Sequence, residues 1–306
     1  MMMNLVNTIS AFEKDIELQI SLLKSFKKQK PIPKNEQKNT IFSGSGDSLV
    51  SSMLAESLSE GQIRAVDPMD LHRNQSLVKS KNVYFVSISG NTITSIKVAR
   101  RAKHSTAITS KPESRLASAT DNAIILSAGT CHVFTAGSIS FLESALTCMS
   151  LAKNIKIPRN SRLFSKARHD SQKPHISKKI YVLGNQYTFP LAMYCAAKFY
   201  EILGYDAHYC KIEQFSHMEL FSAKKGDTVI LFEEKNPHNS QLVKNLKKVG
   251  MNVIHPSMPA DKMSQFLYCT FFSQFLALNE AKRKRKLDCY FVTAKKLRNV
   301  SNQMIY

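Results

Sequence analysis

The stretch that decides the fold is Val83-Tyr84-Phe85-Val86-Ser87-Ile88-Ser89-Gly90-Asn91-Thr92. Its first four residues predict a buried strand, and residues 93–103 carry apolar side chains at helical spacing. Between strand and helix lies a turn of hydroxyl side chains around Gly90. Those hydroxyls and the backbone N–H groups that open a helix would point at one spot, which predicts a small anion-binding cup. Alone, Ser-Gly-Asn is equally compatible with an ordinary turn.

A second turn of this kind follows the apolar segment Thr40-Ile41-Phe42 and precedes a predicted helix over 49–59. Ligands of open parallel sheets bind beyond the carboxyl ends of the strands, so both turns should lie at one edge. We call residues 44–48 and 87–92 the cup. Because no P-loop lysine or Mg²⁺-binding carboxylate accompanies them, the pattern favours a sugar phosphate over a nucleoside triphosphate. The candidate phosphate-binding residues are Gly44, Ser45, Ser48, Ser87, Ser89, Gly90, Asn91 and Thr92, with Ser138 from a later hydroxyl-rich segment.

Strand and helix patterns alternate twice along the chain, which predicts an α/β protein with two copies of one plan. Each copy is expected to be a parallel-sheet sandwich with helices on both faces. The predicted domains are residues 1–155, which begin with an amphipathic leader helix over 4–28, and residues 179–306, which end in a basic tail. Residues 156–178 contain prolines and scattered basic side chains, so they are predicted to be a linker.

The composition narrows the class of protein. The chain has 306 residues, 43% hydrophobic content and a formal net charge of +20. Nucleic acid is the usual partner of such a charge, but the lysines and arginines are dispersed and no aromatic RNA-binding signature or zinc-finger spacing is present. We therefore do not expect nucleic acid as a partner, and a basic surface around an anionic small substrate is favoured.

Cysteine usage and hydropathy predict the compartment. Six cysteines are scattered without a CxxC pair, which predicts reduced, mostly buried thiols rather than disulfides or a zinc site. No apolar run is long enough to cross a membrane, and no secretion signal is evident at the start. The predictions are a cytoplasmic location, no membrane partner, no metal and no cofactor.

The cup resembles the phosphate loops of the sugar isomerase (SIS) domain family. The SxSGxT loop of that family matches residues 87–92, and its preceding Gly-Ser/Thr-Ser loop resembles residues 44–48. Over nearly its whole length the chain is similar to double-SIS proteins: the isomerase half of glutamine–fructose-6-phosphate aminotransferase, archaeal phosphoglucose/phosphomannose isomerases and SIS-type glucosamine-6-phosphate deaminases. The resemblance implies two tandem SIS domains.

The resemblance also implies a catalytic pair in the second half. In these enzymes a helix glutamate and a loop histidine, sixteen residues further on, catalyse the reaction, and Glu201 and His217 have that spacing. The glutamate would move the proton and the histidine would open the sugar ring; the histidine commonly comes from the partner subunit, which implies a homodimer. From the residues alone, either side chain could instead be solvated and structural. Lys198, one helical turn before Glu201, could tune the carboxylate or form a surface pair.

Three positions depart from the family pattern. Cys131 stands where related transferases have an acidic sugar contact, and Gly46 replaces a serine of the phosphate loop. The tail lysine of the family has only approximate counterparts in Lys295 and Lys296. No glutaminase domain with an N-terminal cysteine is present, which excludes glutamine-dependent transfer by this chain alone.

The resulting prediction is a phosphosugar-binding isomerase or deaminase that acts on a hexose or hexosamine 6-phosphate. The alternative from another class is a phosphosugar sensor without catalysis, for which the loss of the acid at Cys131 is the best support. A weaker alternative, based on charge only, is a basic nucleic-acid-binding protein.

Overall fold

The computed structural model describes residues 7–159 and 161–306. Up to residue 156 the elements are α1 Thr8–Ser25, α2 Lys34–Gln37, β1 Thr40–Gly44, α3 Asp47–Leu58, β2 Arg64–Val66, α4 Pro68–Arg73, α5 Gln75–Ser80, β3 Asn82–Val86, α6 Ile93–Ala99, β4 His104–Thr109, β5 Asn122–Ile125 and α7 Ile139–Ala152. The remaining elements are α8 Arg162–Asp170, β6 Lys179–Leu183, α9 Phe189–Leu203, β7 Asp206–Cys210, α10 Ile212–His217, β8 Thr228–Leu231, α11 Pro237–Lys248, β9 Asn252–Ile254, α12 Lys262–Arg283, α13 Tyr290–Thr293 and α14 Lys295–Ile305.

The strands form two parallel sheets with the same winding. The first has the order β2-β1-β3-β4-β5 and the second the order β7-β6-β8-β9. In each sheet the first strand along the chain lies between the second and the third, and every pair of neighbours is parallel. The predicted α/β class with two copies of one plan is confirmed.

The sequence patterns missed two edge strands, β2 and β7. β2 has three residues, of which only Val66 is buried, and β7 alternates buried and more exposed positions. Edge strands of this kind bury one face at most, so they lack the continuous apolar run that marks the central strands. The central strand β1, by contrast, is buried at all five of its positions.

The described residues fall into two compact units, each containing one sheet. The first-sheet unit comprises Ser21–Thr130, Gly137–Lys156 and Lys295–Tyr306; the second-sheet unit comprises residues 7–20, 131–136, 157–159 and 161–294. The first part of α1 thus belongs with the second sheet, and the tail helix α14 with the first. Residues 4–6 of the predicted leader helix lie outside the described residues.

The segment predicted to be a linker contains a helix, α8. Its polar composition suggested an exposed connection, but Phe164 and Ala167 are buried, and the Phe164 ring packs edge-on against Phe271 and Phe275 of α12. Two apolar positions three residues apart are enough to dock one helical turn. α12 is itself almost entirely buried along its length. Even so, no helix in the described part of the chain has the length and hydropathy needed to cross a membrane.

Candidate functional site

The sheet register brings the two turns of the cup together. β1 and β3 are hydrogen-bonded neighbours, and their last residues, Gly44 and Val86, are directly paired. Both strands run in the same direction, so residues 45–48 and 87–92 leave the sheet side by side at its carboxyl edge. The predicted placement of the two turns follows from this pairing.

Glycines set the shape of both turns. A Cβ on Gly90 would lie 2.1 Å from Ser114 Oγ, and its φ of +63° falls in the left-handed region. A Cβ on Gly44 would lie 2.7 Å from Ser48 Cβ and 2.8 Å from the backbone carbon of that residue. Neither position can take a side chain without moving the turn. The cup therefore depends on backbone that approaches its neighbours unusually closely.

The hydroxyl side chains of the second turn bond to one another and to its backbone. Ser87 Oγ lies 3.2 Å from Thr92 Oγ1, and the Asn91 N–H donates to Ser89 Oγ at 3.3 Å. Ser87 is buried, whereas Ser89, Asn91 and Thr92 are partly exposed. The helix that follows, α6, ends at Ala99 rather than at the predicted residue 103. We therefore expect the donors of the turn itself to contribute more to anion binding than this short helix does.

Two further hydroxyls near these elements are buried without a hydrogen-bond partner among the described residues. They are Ser43 Oγ, at the penultimate residue of β1, and Ser138 Oγ, at the N-cap of α7. α7 packs along α3, which begins in the first turn of the cup, and a 3.0 Å hydrogen bond joins Ser51 to Ser144 between the two helices. Buried hydroxyls normally find a partner, so these two are exceptions in this region.

The loop after β4 forms a wall beside the cup, and sequence analysis assigned it no role. Ser110 donates to the Ile88 carbonyl through its N–H at 3.1 Å and its hydroxyl at 2.9 Å, and the Leu116 N–H donates to the Gly90 carbonyl at 2.9 Å. Residues 111–115 line a cavity of about 430 Å³ together with Ser89 and Asn91.

This wall places two basic side chains beside the cup. Lys111 and Arg115 line the cavity beside Ser89, and neither forms an ion pair with another described residue. Glu113 lies between them in the sequence and lines the same space. The sequence contains one indication that this loop could contribute to the site. Residues 110–112 directly follow the predicted strand over 106–109, and loops at the carboxyl ends of parallel strands bind ligands.

The second sheet carries an equivalent turn, Gly184–Thr188, but its own carboxylate fills it. A Cβ on Gly184 would lie 2.6 Å from the Thr188 carbonyl oxygen, which repeats the close approach seen at Gly44. Glu233 Oε1 accepts hydrogen bonds from the Asn185 N–H at 2.9 Å and from Thr188 Oγ1 at 2.5 Å. The two donors that an anion would use are therefore already occupied.

Glu201 lies in the last turn of α9 and is paired with a buried lysine. Lys198 Nζ is 2.6 Å from Glu201 Oε2 and 4.7 Å from the centroid of the Tyr194 ring. The Lys198 side chain is fully buried, and the Glu201 side chain is 35% exposed. The structure thus excludes a surface pair: the lysine approaches the carboxylate from inside the unit and fixes one of its oxygens.

His217 is the last residue of α10 rather than part of a loop, which corrects the expected location. The buried residues Ile212 and Phe215 give this segment enough apolar contact to form one and a half helical turns. His217 is exposed, and within the described residues it makes no hydrogen bond or ion pair. Neither Glu213 nor Glu219 orients its ring, and no hydrogen bond joins it to Glu201.

Of the positions that depart from the family pattern, Cys131 has hydrogen-bonding partners within the protein. The Cys131 N–H donates to Asp15 Oδ1 at 2.7 Å, and the thiol donates to the Ala11 carbonyl at 3.4 Å; burial, more than the neighbouring Asp15, raises the pKa of this thiol. Lys295 and Lys296 are exposed at the start of α14. All six cysteines are free thiols, and five of them are buried, as predicted.

Comparison with known proteins gives a fold and no sequence family. Neither a family model nor a curated protein sequence matches the chain. Among solved structures it is similar to glucosamine-6-phosphate deaminase from Thermotoga maritima, with a TM-score of 0.73 and 19% identity over 92% of this chain and 95% of that one.

Two further structures give the same result. The C-terminal domain of glucosamine-fructose-6-phosphate aminotransferase from Francisella tularensis has a TM-score of 0.67 and 15% identity over 92% of this chain and 97% of that one. Tagatose-6-phosphate ketose/aldose isomerase from Escherichia coli has a TM-score of 0.66 and 17% identity over 91% and 92%. The chain therefore has the double-SIS fold, as the resemblance at the cup implied.

Proposed function

We propose that the chain binds the phosphate of a hexose or hexosamine 6-phosphate in the cup. The observation that carries this proposal is the pairing of Gly44 with Val86, which sets two hydroxyl-rich turns side by side at the carboxyl edge of a parallel sheet. Lys111 and Arg115, on the wall of the adjoining cavity, suit a dianion. The names of the structurally similar proteins support the same class of ligand.

The proposed chemistry is proton transfer between C1 and C2 of the open-chain sugar. The Glu201 carboxylate takes a proton from C2 of an aldose while O1 gains a proton, leaving an enediol. The carboxylate then returns its proton to C1 while O2 loses a proton to give the ketose, so no proton is gained or lost overall. Lys198 holds that carboxylate at Oε2. His217 opens the ring, and it acts from the partner subunit of a homodimer. With an amino sugar, the same proton transfer gives an imine at C2, and water then adds to C2 and displaces ammonia to give the ketose. The proposal requires no metal or cofactor.

The second candidate is a phosphosugar sensor that binds without catalysis. Two observations favour it: Cys131 bonds to Asp15 and Ala11 where related transferases have an acid, and His217 has no partner within the described residues to set its ring. In a sensor the cup would have the same role, and Lys198–Glu201 would be a structural ion pair.

Deuterium exchange separates the two candidates. Fructose 6-phosphate or glucosamine 6-phosphate is incubated with the protein in D₂O, and deuterium at C1 and C2 is measured by mass spectrometry. Exchange is expected with the native protein and should fall by about 10²–10⁴-fold in Glu201→Gln, the usual contribution of a general base. Glu60→Gln, which changes an exposed glutamate, should exchange normally. Binding without exchange by the native protein would leave the sensor as the function.

A binding measurement tests the cup separately. Ser89→Ala should weaken phosphosugar affinity by about tenfold, the equivalent of one lost hydrogen bond to a charged group. Ser76→Ala removes an exposed hydroxyl of α5 in the same unit and should leave the affinity unchanged. Equal affinities for all three proteins would reject the cup as the phosphate site.

A further inference from the structure

A second cavity with a basic lining lies at the carboxyl end of the second sheet. It has a volume of about 310 Å³ and is formed where β9 ends, with Ile254 and Pro256 on one side and Phe272 of α12 on another. It shares no lining residue with the cup, Glu201 or His217. The carboxyl ends of parallel strands are where open α/β sheets bind ligands, so the position itself is suitable for a site.

Basic side chains from separate segments converge on this cavity. Three lysines and two histidines line it, against one carboxylate: Lys166 and His169 of α8, Lys173 after that helix, Lys235 after β8, His255 after β9, and Asp170. These segments are far apart in the sequence, so the concentration of positive charge is produced by the fold and not by a run of lysines.

The single carboxylate is already neutralised within the protein. Asp170 accepts hydrogen bonds from Lys166 Nζ and, at 2.8 Å, from the Tyr268 hydroxyl. Burial works against its ionisation, yet the bonds from Lys166 and Tyr268 hold its pKa below the usual value. Asp170 therefore offers little attraction for the other cations. Lys173 and Lys235 form no ion pair with any residue of the described ranges.

Two of the basic groups are held in place without a charged partner. Lys235 Nζ donates to Ser257 Oγ at 2.9 Å, and His255 Nε2 lies 2.9 Å from the Glu233 carbonyl oxygen. A carbonyl oxygen only accepts, so Nε2 of His255 carries the hydrogen and Nδ1 remains as the other polar atom of the ring. Fixed cations lose less side-chain entropy when an anion binds than mobile ones do.

We propose that this cavity binds a small phosphorylated anion, at a site separate from the cup. Lys173 and Lys235 would contact the phosphate oxygens, and the apolar surface of Ile254, Pro256 and Phe272 would receive the organic part of the ligand. The site goes beyond the proposed phosphosugar chemistry, because it lies at the other sheet and does not depend on Glu201 or His217.

Calorimetric titration with inorganic pyrophosphate tests the site. All proteins carry Gly90→Ala, which is expected to weaken the cup as a competing phosphate site. The double variant Lys173→Ala/Lys235→Ala should bind pyrophosphate about tenfold or more weakly, the effect expected for lost charge-assisted hydrogen bonds. The control Lys244→Ala/Lys247→Ala removes the same charge from exposed positions on α11 that do not line the cavity. It should retain most of the parent affinity.

Hydrogen exchange measured with and without pyrophosphate locates the binding. Protection is expected in α8 and in residues 254–257. Similar losses in both double variants would show attraction to a diffusely basic surface, and would overturn the proposal. Absence of pyrophosphate binding by the Gly90→Ala parent would overturn it as well, and neither result bears on phosphosugar binding by the native cup.

Discussion

The turns that follow β1 and β6, the first strand of each sheet, have the same backbone design. They differ in the acceptors that their hydrogen-bond donors reach. Gly44 and Gly184 each make a close approach to a hydroxyl residue four positions later. At the first sheet, the hydroxyls of the adjoining turn 87–92 bond to one another and to local backbone. At the second sheet, the carboxylate of Glu233 accepts hydrogen bonds from the Asn185 N–H and the Thr188 hydroxyl.

Under the proposed function, this difference explains how a fold with two similar turns would have one phosphate site of this type. A turn with unused donors attracts an external anion, and a turn filled by an internal carboxylate gains stability instead. The residue that decides between the two outcomes does not belong to the turn: Glu233 follows the neighbouring strand β8. At the corresponding place in the first sheet, the strand β3 is followed by Ser87.

The largest effect expected on the affinity for a phosphosugar comes from Gly90→Ala. The new Cβ would meet Ser114 Oγ at 2.1 Å and would hold a φ of +63°, so the turn must move away from the β4 loop. Overpacking and left-handed strain each cost about 1–3 kcal/mol. We expect phosphosugar affinity to fall by about a hundredfold, equivalent to about 2.7 kcal/mol, in calorimetric titration.

Two glycine variants serve as controls for this result. Gly61 has a φ of +78° with open space around its Cβ position, so Gly61→Ala should cost stability without loss of affinity. Gly184→Ala should destabilise the second sheet, again without affecting phosphosugar binding, since Glu233 already fills that turn. If Gly184→Ala weakened binding as strongly as Gly90→Ala, the two turns would not differ in the way proposed.

A smaller effect, on stability, is expected from Glu233→Ala. The Asn185 N–H and the Thr188 hydroxyl would each lose a charged acceptor but keep their hydrogen bonds to Thr188 Oγ1 and to the Asn185 carbonyl. The expected loss is therefore about 1.5 kcal/mol, the lower end for hydrogen bonds to a charged group. Urea unfolding should show this loss, whereas phosphosugar affinity should stay at the native value. Glu234→Ala, which truncates the exposed adjacent glutamate, is the matched control and should leave stability nearly unchanged. Equal stabilities of the two variants would mean that the carboxylate does not support the turn.

The sequence was sufficient for the parts of the fold that have strong local patterns. The central strands β3, β6 and β8 contain continuous apolar runs. The helix that the sequence pattern predicts over residues 189–203 has the observed bounds of α9. The strands β2 and β7 and the helix α8 were missed because each buries only one or two side chains. Short amphipathic elements become visible only when their packing partner is known.

The candidate site was predictable only in part, for a similar reason. Ser87–Thr92 could be identified because its residues are contiguous. Residues that reach the same place from another strand could not, and Lys111 and Arg115 on the β4 loop are the example. The burial of Lys198 against Glu201 was equally hidden, because helical spacing indicates that two side chains are neighbours but does not show which face of the helix is buried.

The smallest expected effect concerns the strand that only the first sheet has, β5. Asp121 precedes it and accepts hydrogen bonds from the N–H of Ser105 at 2.7 Å and from its hydroxyl at 3.1 Å. The backbone N–H of Ser105, followed by its hydroxyl, holds the pKa of Asp121 below the ordinary value of 3.8. A carboxylate whose pKa is lowered on folding stabilises the folded state above that ordinary value, and the stabilisation is lost as the pH falls through the lowered one.

Asp121→Asn should therefore lower the free energy of unfolding at neutral pH, by less than about 1 kcal/mol because the group is exposed and screened. The gap between native and variant proteins should close as the pH falls below 3.8. Asp70→Asn, at an exposed position on α4, should show no such closing gap. Hydrogen exchange of β5 should rise in Asp121→Asn while the second sheet, which ends at β9, stays unchanged. If the difference in unfolding free energy persisted at low pH, the effect would come from the shape of the side chain and not from its charge. The charge of Asp121 would then not contribute to the stability of β5.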